Sequence, residues 1–402
     1  MLRMKSLGRW ASMLAAVLGW FAAVAGLAAA QTAGQTAVQA APDYTRLWQA
    51  YAARFITADG RVLDPQSGDR TTSEGQSYAL FFALVNNDRA RFDKLLAWTS
   101  SNLASGDLGA HLPAWSWGKA KDGHWGKLDP NSASDSDLWI AFDLIEAGRL
   151  WNDLPYSSTG RRLAELIAHS EVTDMPGFGP AVLPAAVGFK LQRSWVLNPS
   201  YTPLFILNRL AIVDPEGPWA NLAMEVPNLI ARSSVNGFAM DWVCYTPGKA
   251  FTPCLKPGQE TGQALGSYEA IRVYLWAGML SDSNPAKARI LKALPGMNQY
   301  LQTHSAPPEK INSDGVPLNG DGPVGFSAAL LPYLTSLGNG SAVAQQLVRI
   351  KSQLDEKSNL YGAGYGTGPT YYDQNLVLFG SGWVEKRFQF GSSGELLVRW
   401  SR

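Results

Sequence analysis

The feature that most constrains this chain is an almost unbroken succession of helical patterns from Asp43 onwards. Apolar residues recur at spacings of three and four positions, and helix-capping residues precede many of these runs. The pattern predicts twelve helices, at residues 43–56, 74–86, 88–103, 134–151, 159–170, 202–211, 217–232, 266–279, 285–303, 323–336, 341–357 and 370–383. No linker interrupts residues 43–402, so we predict a single domain there. Twelve helices in one domain fit a toroid of six inner and six outer helices, and no repeat of fixed period indicates a solenoid.

Two long loops, 104–133 and 171–201, separate the helical patterns and are rich in Gly, Pro, Asn and Trp. Long ordered loops on a helical scaffold commonly carry function. Strand patterns are sparse by comparison. The clearest pair covers residues 387–390 and 395–398 and predicts one small β-hairpin at the C-terminal end.

The N-terminal residues predict export. Three basic residues precede an apolar stretch that runs to Ala30 and ends in small residues, which is the pattern of a secretory signal peptide. We predict cleavage after Ala30, a flexible tether over residues 31–42, and a periplasmic or secreted mature protein. An uncleaved membrane anchor is the alternative, because the apolar stretch is long for a signal peptide.

The distribution of charged residues gives no indication of a nucleic-acid partner. Charged residues make up 17% of the chain, which has a net charge of +1 and contains no run of Lys or Arg, so a nucleic-acid footprint is absent. Removing residues 1–30 takes away three basic residues, which leaves 31 basic against 33 acidic residues, a net charge of −2. The four His are scattered without metal-site spacing, so we predict neither a metal nor a cofactor. No pattern argues against a monomer.

Cys244 and Cys254 are the only two cysteines in the sequence and lie close together around a Pro/Gly-containing loop. In an oxidising compartment they would form a small disulfide-closed loop. Two free, buried thiols are the alternative.

Three carboxylate-bearing segments are candidates for chemistry. Glu74 opens an apolar helix, where it also complements the helix dipole, and the adjacent Gly75 indicates a close approach to the backbone. Asp135 and Asp137 open another helix, and a spacing of two residues makes them diverge. One of them can face a cleft while the other caps the helix or supports its neighbour.

The third segment places Glu269 and Arg272 three residues apart, where a plain salt bridge is the simpler explanation. Trp115 and Trp117 lie in the long loop upstream of Asp135. Indole rings stack well on the apolar faces of sugars, although 15 Trp in one chain also fit a large core.

Together these segments resemble glycoside hydrolase family 8. The resemblance rests on residues 73–78 and on residues 133–141, which run on to Ala147 and Trp151. It extends over nearly the whole chain through segments typical of the family members encoded with bacterial cellulose synthases, at residues 61–65, 198–201, 267–274 and 322–329. The resemblance implies an (α/α)6 barrel and an inverting endo-1,4-β-glucanase whose partner is a β-1,4-glucan chain, with a functional link to a cellulose synthase complex.

Two other functions remain open. One is a catalytically weak β-glucan-binding protein that assists cellulose biogenesis. The other is a family relative that acts on xylan, chitosan or mixed-linkage glucan, although a mature net charge of −2 gives chitosan no support.

Residue by residue, the resemblance implies that Glu74 is the general acid, that Asp135 contacts the sugar at the cleavage site and that Glu269 is the general base. The family members encoded with cellulose synthases carry Asp where this chain has Glu269, so Asp137 and Asp241 are alternative bases. The substrate-binding residues are expected to be Trp115, Trp117, Tyr201, Asp137 and Arg272, with Tyr201 near the catalytic water and Arg272 keeping Glu269 ionised.

Overall fold

The computed structural model describes residues 43–363 and 368–400, so the predicted signal peptide and tether lie outside the described residues. Within these ranges the chain forms thirteen helices: α1 Tyr44–Phe55, α2 Ser73–Val85, α3 Arg89–Leu103, α4 Ser134–Leu150, α5 Leu154–Ser170, α6 Leu204–Val213, α7 Trp219–Ser233, α8 Ile271–Met279, α9 Lys287–Ala293, α10 Pro295–Tyr300, α11 Val324–Ser336, α12 Gly340–Ser352 and α13 Tyr371–Val384. None of the helices in the described ranges is long and apolar enough to cross a membrane.

The helices form an inner and an outer layer that alternate along the chain. The inner helices α2, α4, α6, α8, α11 and α13 bury most of their residues, because their apolar side chains cover every face. The helices that follow or precede them, such as α1, α5 and α12, bury one stripe and expose charged residues on the opposite face. The outer layer therefore shields the inner one from water.

The inner helices contact one another in a closed ring. Contacts join α2 to α4, α4 to α6, α8 to α11, α11 to α13 and α13 to α2. The ring closes between α6 and α8 where Phe205 meets Trp276, with 6.0 Å between the ring centroids. Phe379 of α13 packs in the centre against Tyr78, Trp139 and Trp276, at centroid distances of 5.1 to 5.4 Å. This arrangement is an (α/α)6 barrel, as predicted.

The predicted C-terminal hairpin is present. Phe388–Phe390 pairs antiparallel with Leu396–Val398. The Phe390 ring lies 3.8 Å from the Phe205 ring and nearly parallel to it, and it also contacts Phe142. The hairpin therefore packs its aromatic residues onto the inner helices.

The long loops contain further strands that the sequence did not predict. A three-stranded antiparallel sheet joins β1 Thr71–Thr72, β2 Ser116–Lys119 and β3 Trp125–Asp129. A second antiparallel pair joins β4 Val172–Met175 to β5 Gly179–Val182, and a second three-stranded sheet joins β6 Trp195–Leu197, β7 Val243–Tyr245 and β8 Thr252–Pro253. Strands of two to five residues are too short to show a clear alternating pattern.

Several predicted helices have different bounds in the structure: the predicted segment 159–170 begins earlier, as Leu154–Ser170, and the predicted segment 341–357 ends at Ser352. The predicted segment 285–303 is split into α9 and α10, because the helix stops at Leu294 and Pro295 starts the next one. The predicted segment 266–279 becomes helical only at Ile271. Glu269 therefore lies in the turn that precedes α8 rather than on the helix.

Candidate active site

The N-terminal ends of the inner helices bring the candidate acidic residues together. Glu74 lies in the first turn of α2, where Thr72 caps the helix by accepting a hydrogen bond of 3.1 Å from the Gly75 amide. Asp135 lies in the first turn of α4, and Glu269 directly precedes α8. The positive end of a helix dipole stabilises a nearby carboxylate, so these positions suit acidic residues.

Arg272 connects the three carboxylates. It is 1% exposed, and its Nη1 donates to Glu74 Oε2, to Asp135 Oδ2 at 3.1 Å and to the Tyr78 hydroxyl at 2.8 Å. Its Nη2 donates to Glu269 Oε2. Burial opposes the charge of the guanidinium, but the surrounding Tyr78, Glu269 and Glu74 outweigh it and hold the pKa of Arg272 well above its ordinary value. The guanidinium is therefore a fixed positive charge shared by three acids.

Glu74 has the environment of a proton donor. Burial raises the pKa of its carboxyl group to about 7, although Arg272 acts in the opposite direction. The Tyr371 hydroxyl donates to Glu74 Oε1 at 3.3 Å. Gly75 permits this contact, because a Cβ atom at this position would lie 3.3 Å from the Tyr371 ring. The close approach expected at Gly75 is thus made by Tyr371.

Glu269 is held in place by two side chains and by the turn that carries it. Its Oε2 accepts from Arg272 and, at 3.1 Å, from Asn198 Nδ2. Asp241 supports the turn by accepting from the amides of Ser267, at 2.7 Å, and Ala270, at 2.8 Å. Burial, and next the charge of Glu269, raise the pKa of Asp241 to about 7. Asp241, an alternative base from the sequence, therefore acts here as a support for Glu269.

Two cavities meet at Glu74 and Glu269, which line both of them. One, of about 370 Å³, is lined by Trp115, Phe189, Tyr201 and Trp242 together with Asp135, and we call it the aromatic cavity. The other, of about 510 Å³, is lined by Tyr268, Tyr371, Tyr372, Glu309 and Asp321, and we call it the tyrosine cavity. The carboxyl groups thus lie between two open pockets, each large enough for one or more sugar units.

Some of the predicted binding residues line a cavity in the structure and others do not. Trp115 and Tyr201 line the aromatic cavity, and the Arg272 guanidinium lies 5.6 Å from the centre of the Tyr201 ring. Trp117 does not line either cavity, because its ring is packed between Trp98 and Trp125, at centroid distances of 5.2 and 5.4 Å. The expectation that Trp117 contacts substrate does not fit this position.

Asp137 is also absent from both cavities, contrary to the expectation that it binds substrate. It is fully buried, and neither oxygen of its carboxyl group has a hydrogen-bond partner within residues 43–363 and 368–400. The physical reason is the helical geometry, which turns residues two positions apart to different sides of α4. Asp137 is therefore in no position to act as the base.

Sequence reasoning missed several residues of the site. Trp242, Asn198 and the adjacent Tyr371 and Tyr372 come from three separate stretches of the chain, and only Asn198 lies in a segment that carries the family resemblance. Cys244 and Cys254 are joined in a disulfide with a Cα–Cα distance of 5.7 Å, and the Cys254 amide donates to the Trp242 carbonyl at 3.0 Å. Within residues 43–363 and 368–400, no cluster of three or more His, Cys, Asp and Glu residues could hold a metal ion.

Comparisons with known proteins give a consistent picture. An endoglucanase from Xanthomonas axonopodis pv. citri is 44% identical, covering 94% of this chain and 95% of its own length. An endoglucanase from Escherichia coli O157:H7 is 42% identical, covering 88% of this chain and 91% of its own.

Solved structures agree with the sequence matches. An endo-1,4-D-glucanase from Vibrio fischeri ES114 superposes with a TM-score of 0.80 at 41% identity, covering 88% of this chain and 99% of that one. An endo-β-1,4-glucanase from Acetobacter xylinum has a TM-score of 0.66 at 22% identity, covering 85% and 97%, and supports the fold. The model of the glycosyl hydrolases family 8 matches residues 9–386. With its barrel, its converging acidic residues and these matches, the chain belongs to glycoside hydrolase family 8.

Proposed function

We propose that this protein is an endo-1,4-β-glucanase that hydrolyses cellulose-type β-1,4-glucan with inversion of configuration. The observation that carries the proposal is the pair Glu74 and Glu269, two carboxyl groups that meet at one guanidinium where the two cavities join. Relatives named endoglucanase at more than 40% identity over most of the chain support the same activity.

Glu74 is the general acid of the proposed mechanism. With a pKa raised to about 7 by burial, about half of Glu74 is protonated in neutral solution, and the protonated form donates to the leaving glycosidic oxygen. The Tyr371 hydroxyl at 3.3 Å orients the carboxyl group.

Glu269 is the general base, and it removes a proton from a water molecule that attacks the opposite face of the sugar. Arg272 and Asn198 both donate to its Oε2 and so hold the carboxylate in place. Inverting enzymes need no covalent nucleophile, so Asp135 positions the sugar and stabilises the positive charge that develops on it. The Glu74 proton and the water proton balance: one passes to the leaving group and the other to Glu269.

The two cavities favour cleavage within a chain. Glucan units would stack on Trp115 and Trp242 on one side of the acidic residues and contact Tyr268 and Tyr372 on the other. Because both cavities meet at Glu74 and Glu269, the scissile bond lies between occupied sites rather than at a chain end. This arrangement suits an endo-acting enzyme.

We further propose that residues 1–30 direct export, that residues 43–402 form one catalytic domain, and that the monomeric mature protein works in the periplasm or outside the cell. Its substrate there is a nascent glucan chain, which links it to cellulose synthesis and secretion.

Hydrolysis of carboxymethylcellulose tests the activity. We expect the viscosity to fall much faster than reducing ends appear, with slower release from xylan, chitosan and mixed-linkage glucan. Binding of cellulose without any hydrolysis would favour the accessory function, and faster hydrolysis of another polymer would identify the substrate.

Proton NMR of cellopentaose hydrolysis tests the stereochemistry. Inversion predicts that the first new reducing ends are α-anomers, and β-anomers at early times would refute the inverting mechanism.

A further inference from the structure

Lys256 places a positive charge in the aromatic cavity, beside the two indole rings on which glucan is proposed to stack. Its side chain is exposed and lines this cavity. The ammonium nitrogen lies 5.2 Å from the centre of the Trp115 ring and 5.5 Å from that of the Trp242 ring. At these distances the face of an aromatic ring attracts a cation. Both rings therefore hold the ammonium group at the place where a sugar would bind.

The chain around Lys256 is anchored close to Trp242. The disulfide between Cys244 and Cys254 ends two residues before Lys256, and the Cys254 amide donates to the Trp242 carbonyl at 3.0 Å. A backbone hydrogen bond of 3.0 Å to the Lys256 carbonyl then closes a turn, with Gly258 at its centre at a φ of 83°. The Lys256 side chain thus extends from a fixed backbone towards the two rings.

No neighbouring acid neutralises this ammonium group. Lys256 forms no ion pair within residues 43–363 and 368–400. Of the acidic residues that line the aromatic cavity, Asp129 alone is not bound to Arg272. Arg70 is a second cation of this cavity, and Asp64 lies 3.9 Å from it. Among the described residues, Lys256 is therefore the cation of the aromatic cavity that has no acidic partner.

An unpaired ammonium group acts on a bound glucan in two ways. It donates up to three hydrogen bonds, which suit the hydroxyl groups of a sugar that is stacked on either ring. It also attracts an anionic substituent and repels a cationic one, with an energy that decreases with distance and with added salt. A cationic sugar in this cavity would therefore face a like charge.

The tyrosine cavity has the opposite charge. Glu309 and Asp321 line it, and Arg272 is the one cation among its described lining residues. Arg272 is already bound to the three acidic residues of the active site. A preference for anionic substituents is thus a property of the aromatic cavity and not of the whole cleft.

We propose that Lys256 is a substrate-binding residue that makes the aromatic cavity favour anionic substituents on a β-1,4-glucan and reject cationic ones. This inference deepens the proposed function and rests on it, because it assigns a charge preference to a cavity that must hold glucan. Lys256 takes no part in proton transfer, which Glu74 and Glu269 perform.

Three soluble derivatives of cellulose test the charge preference. Hydroxyethylcellulose is neutral, carboxymethylcellulose is anionic, and hydroxyethylcellulose with quaternary ammonium groups is cationic at every pH. Relative to the neutral polymer, we expect kcat/KM of Lys256→Glu to fall about tenfold on the anionic polymer and to rise about tenfold on the cationic one. Both differences should shrink as the ionic strength rises from about 0.01 M to about 0.5 M.

Lys249→Glu is the matched control, because Lys249 is exposed in the same loop and lines neither cavity. It should leave the ratios among the three polymers native, and Lys256→Arg, which keeps the charge, should do the same. Lys256→Met should give ratios between those of the native enzyme and of Lys256→Glu, and it provides the test if Lys256→Glu fails to fold. A loss of activity by the same factor on all three polymers would overturn the charge preference and show that Lys256 only supports the loop.

Glucan binding keeps the inference separate from the proposed activity. Tryptophan fluorescence of Glu74→Gln, with and without Lys256→Glu, can be titrated with the same three polymers in the absence of turnover. An affinity order that Lys256→Glu reverses would support the inference even if the native protein hydrolyses none of the polymers, which would refute the proposed function alone. Equal affinity ratios in the two proteins would overturn the inference.

Discussion

Two groups of buried carboxyl groups lie side by side in this barrel and are neutralised in different ways. Glu74, Asp135 and Glu269 surround the Arg272 guanidinium, which binds all three. Asp137 and Glu171 form no ion pair within the described residues, and burial raises the pKa of both carboxyl groups. The two groups begin only two residues apart on α4, yet the first lines the cavities and the second does not.

The difference shows that the presence or absence of a neighbouring cation decides what a group of acidic residues can do. A guanidinium lets several carboxyl groups face a cavity with different proton affinities, which acid and base catalysis requires. Where a buried carboxyl group has no cation beside it, burial favours its protonated, neutral form. The first group can exchange protons with a substrate, whereas the second can only hold the structure around it.

Replacing Arg272 by Met would leave the first group without a cation, like the second. We expect this change to have the largest effect on both stability and kcat. The buried Asp135 and the partly buried Glu74 and Glu269 would lose their cation, and breaking a buried ion pair destabilises a protein by about 3–5 kcal/mol. We expect kcat to fall about 100-fold to 1,000-fold, because Glu74 and Glu269 both lose the guanidinium that holds them in place. Urea unfolding and cellopentaose kinetics measure both effects.

Arg387→Met is the control, since the Arg387–Glu385 pair is at the surface, with the arginine side chain 36% exposed. It should cost at most about 1 kcal/mol. An Arg272→Met enzyme with native activity and stability would contradict the claim that Arg272 is needed to hold the three acidic residues.

The pH dependence of kcat tests whether Glu74 is the acid. Because burial raises the pKa of Glu74 to about 7, its protonated fraction, and with it kcat, should fall about tenfold per pH unit above that value. Arg272 lowers this pKa, so any residual activity of Arg272→Met should persist to higher pH. A kcat that stays constant to pH 9 in the native enzyme would contradict the assignment.

Tyr371→Phe should change the same profile less. In the native protein the 3.3 Å hydrogen bond from Tyr371 lowers the pKa of Glu74. The substitution removes this bond and should therefore raise that pKa. The alkaline decline of kcat should move upwards by less than about one pH unit, since a single hydrogen bond contributes about 0.5–1.5 kcal/mol. Tyr156→Phe, which alters a tyrosine bonded to the remote Asp93, should leave the profile unchanged, and a downward shift in Tyr371→Phe would contradict the geometry.

Gly75→Ala should have the smallest effect. The added methyl group would lie 3.3 Å from both Tyr371 and Val62, so Tyr371 must move by a few tenths of an ångström. We expect kcat to fall about threefold with a stability change within about 1 kcal/mol, because alanine also favours the helix. Gly340→Ala at the start of α12 meets no atom within 4 Å and should leave kcat native. An equal kcat in both variants would show that Tyr371 tolerates the displacement.

The sequence predicted the barrel from twelve helical patterns in one domain and from the resemblance to glycoside hydrolase family 8. It misplaced boundaries where one residue decides them, as at Pro295, and it missed strands of only two to five residues. Those strands depend on partners distant in the chain, such as β1 and β2, which pair Thr71 with Trp117.

For the site, the sequence indicated Glu74, Asp135, Glu269 and Arg272, which the structure brings together. It did not indicate which of Asp135 and Asp137 faces the cavity, because a spacing of two fixes only that they diverge. Tyr371 and Trp242 reach the site through tertiary packing alone, and no local pattern marks them.

Hydrolysis of an aryl β-cellobioside with a good leaving group tests the central claim, that Glu74 is the acid and Glu269 the base, most directly. Such a leaving group departs without a proton, whereas the attacking water still needs a base. We predict that Glu74→Gln retains most of its activity on this substrate while losing about 1,000-fold or more on cellopentaose, and that Glu269→Gln is inactive on both. A Glu269→Gln enzyme that still cleaves the aryl substrate at the native rate would contradict the account and show that the base lies elsewhere.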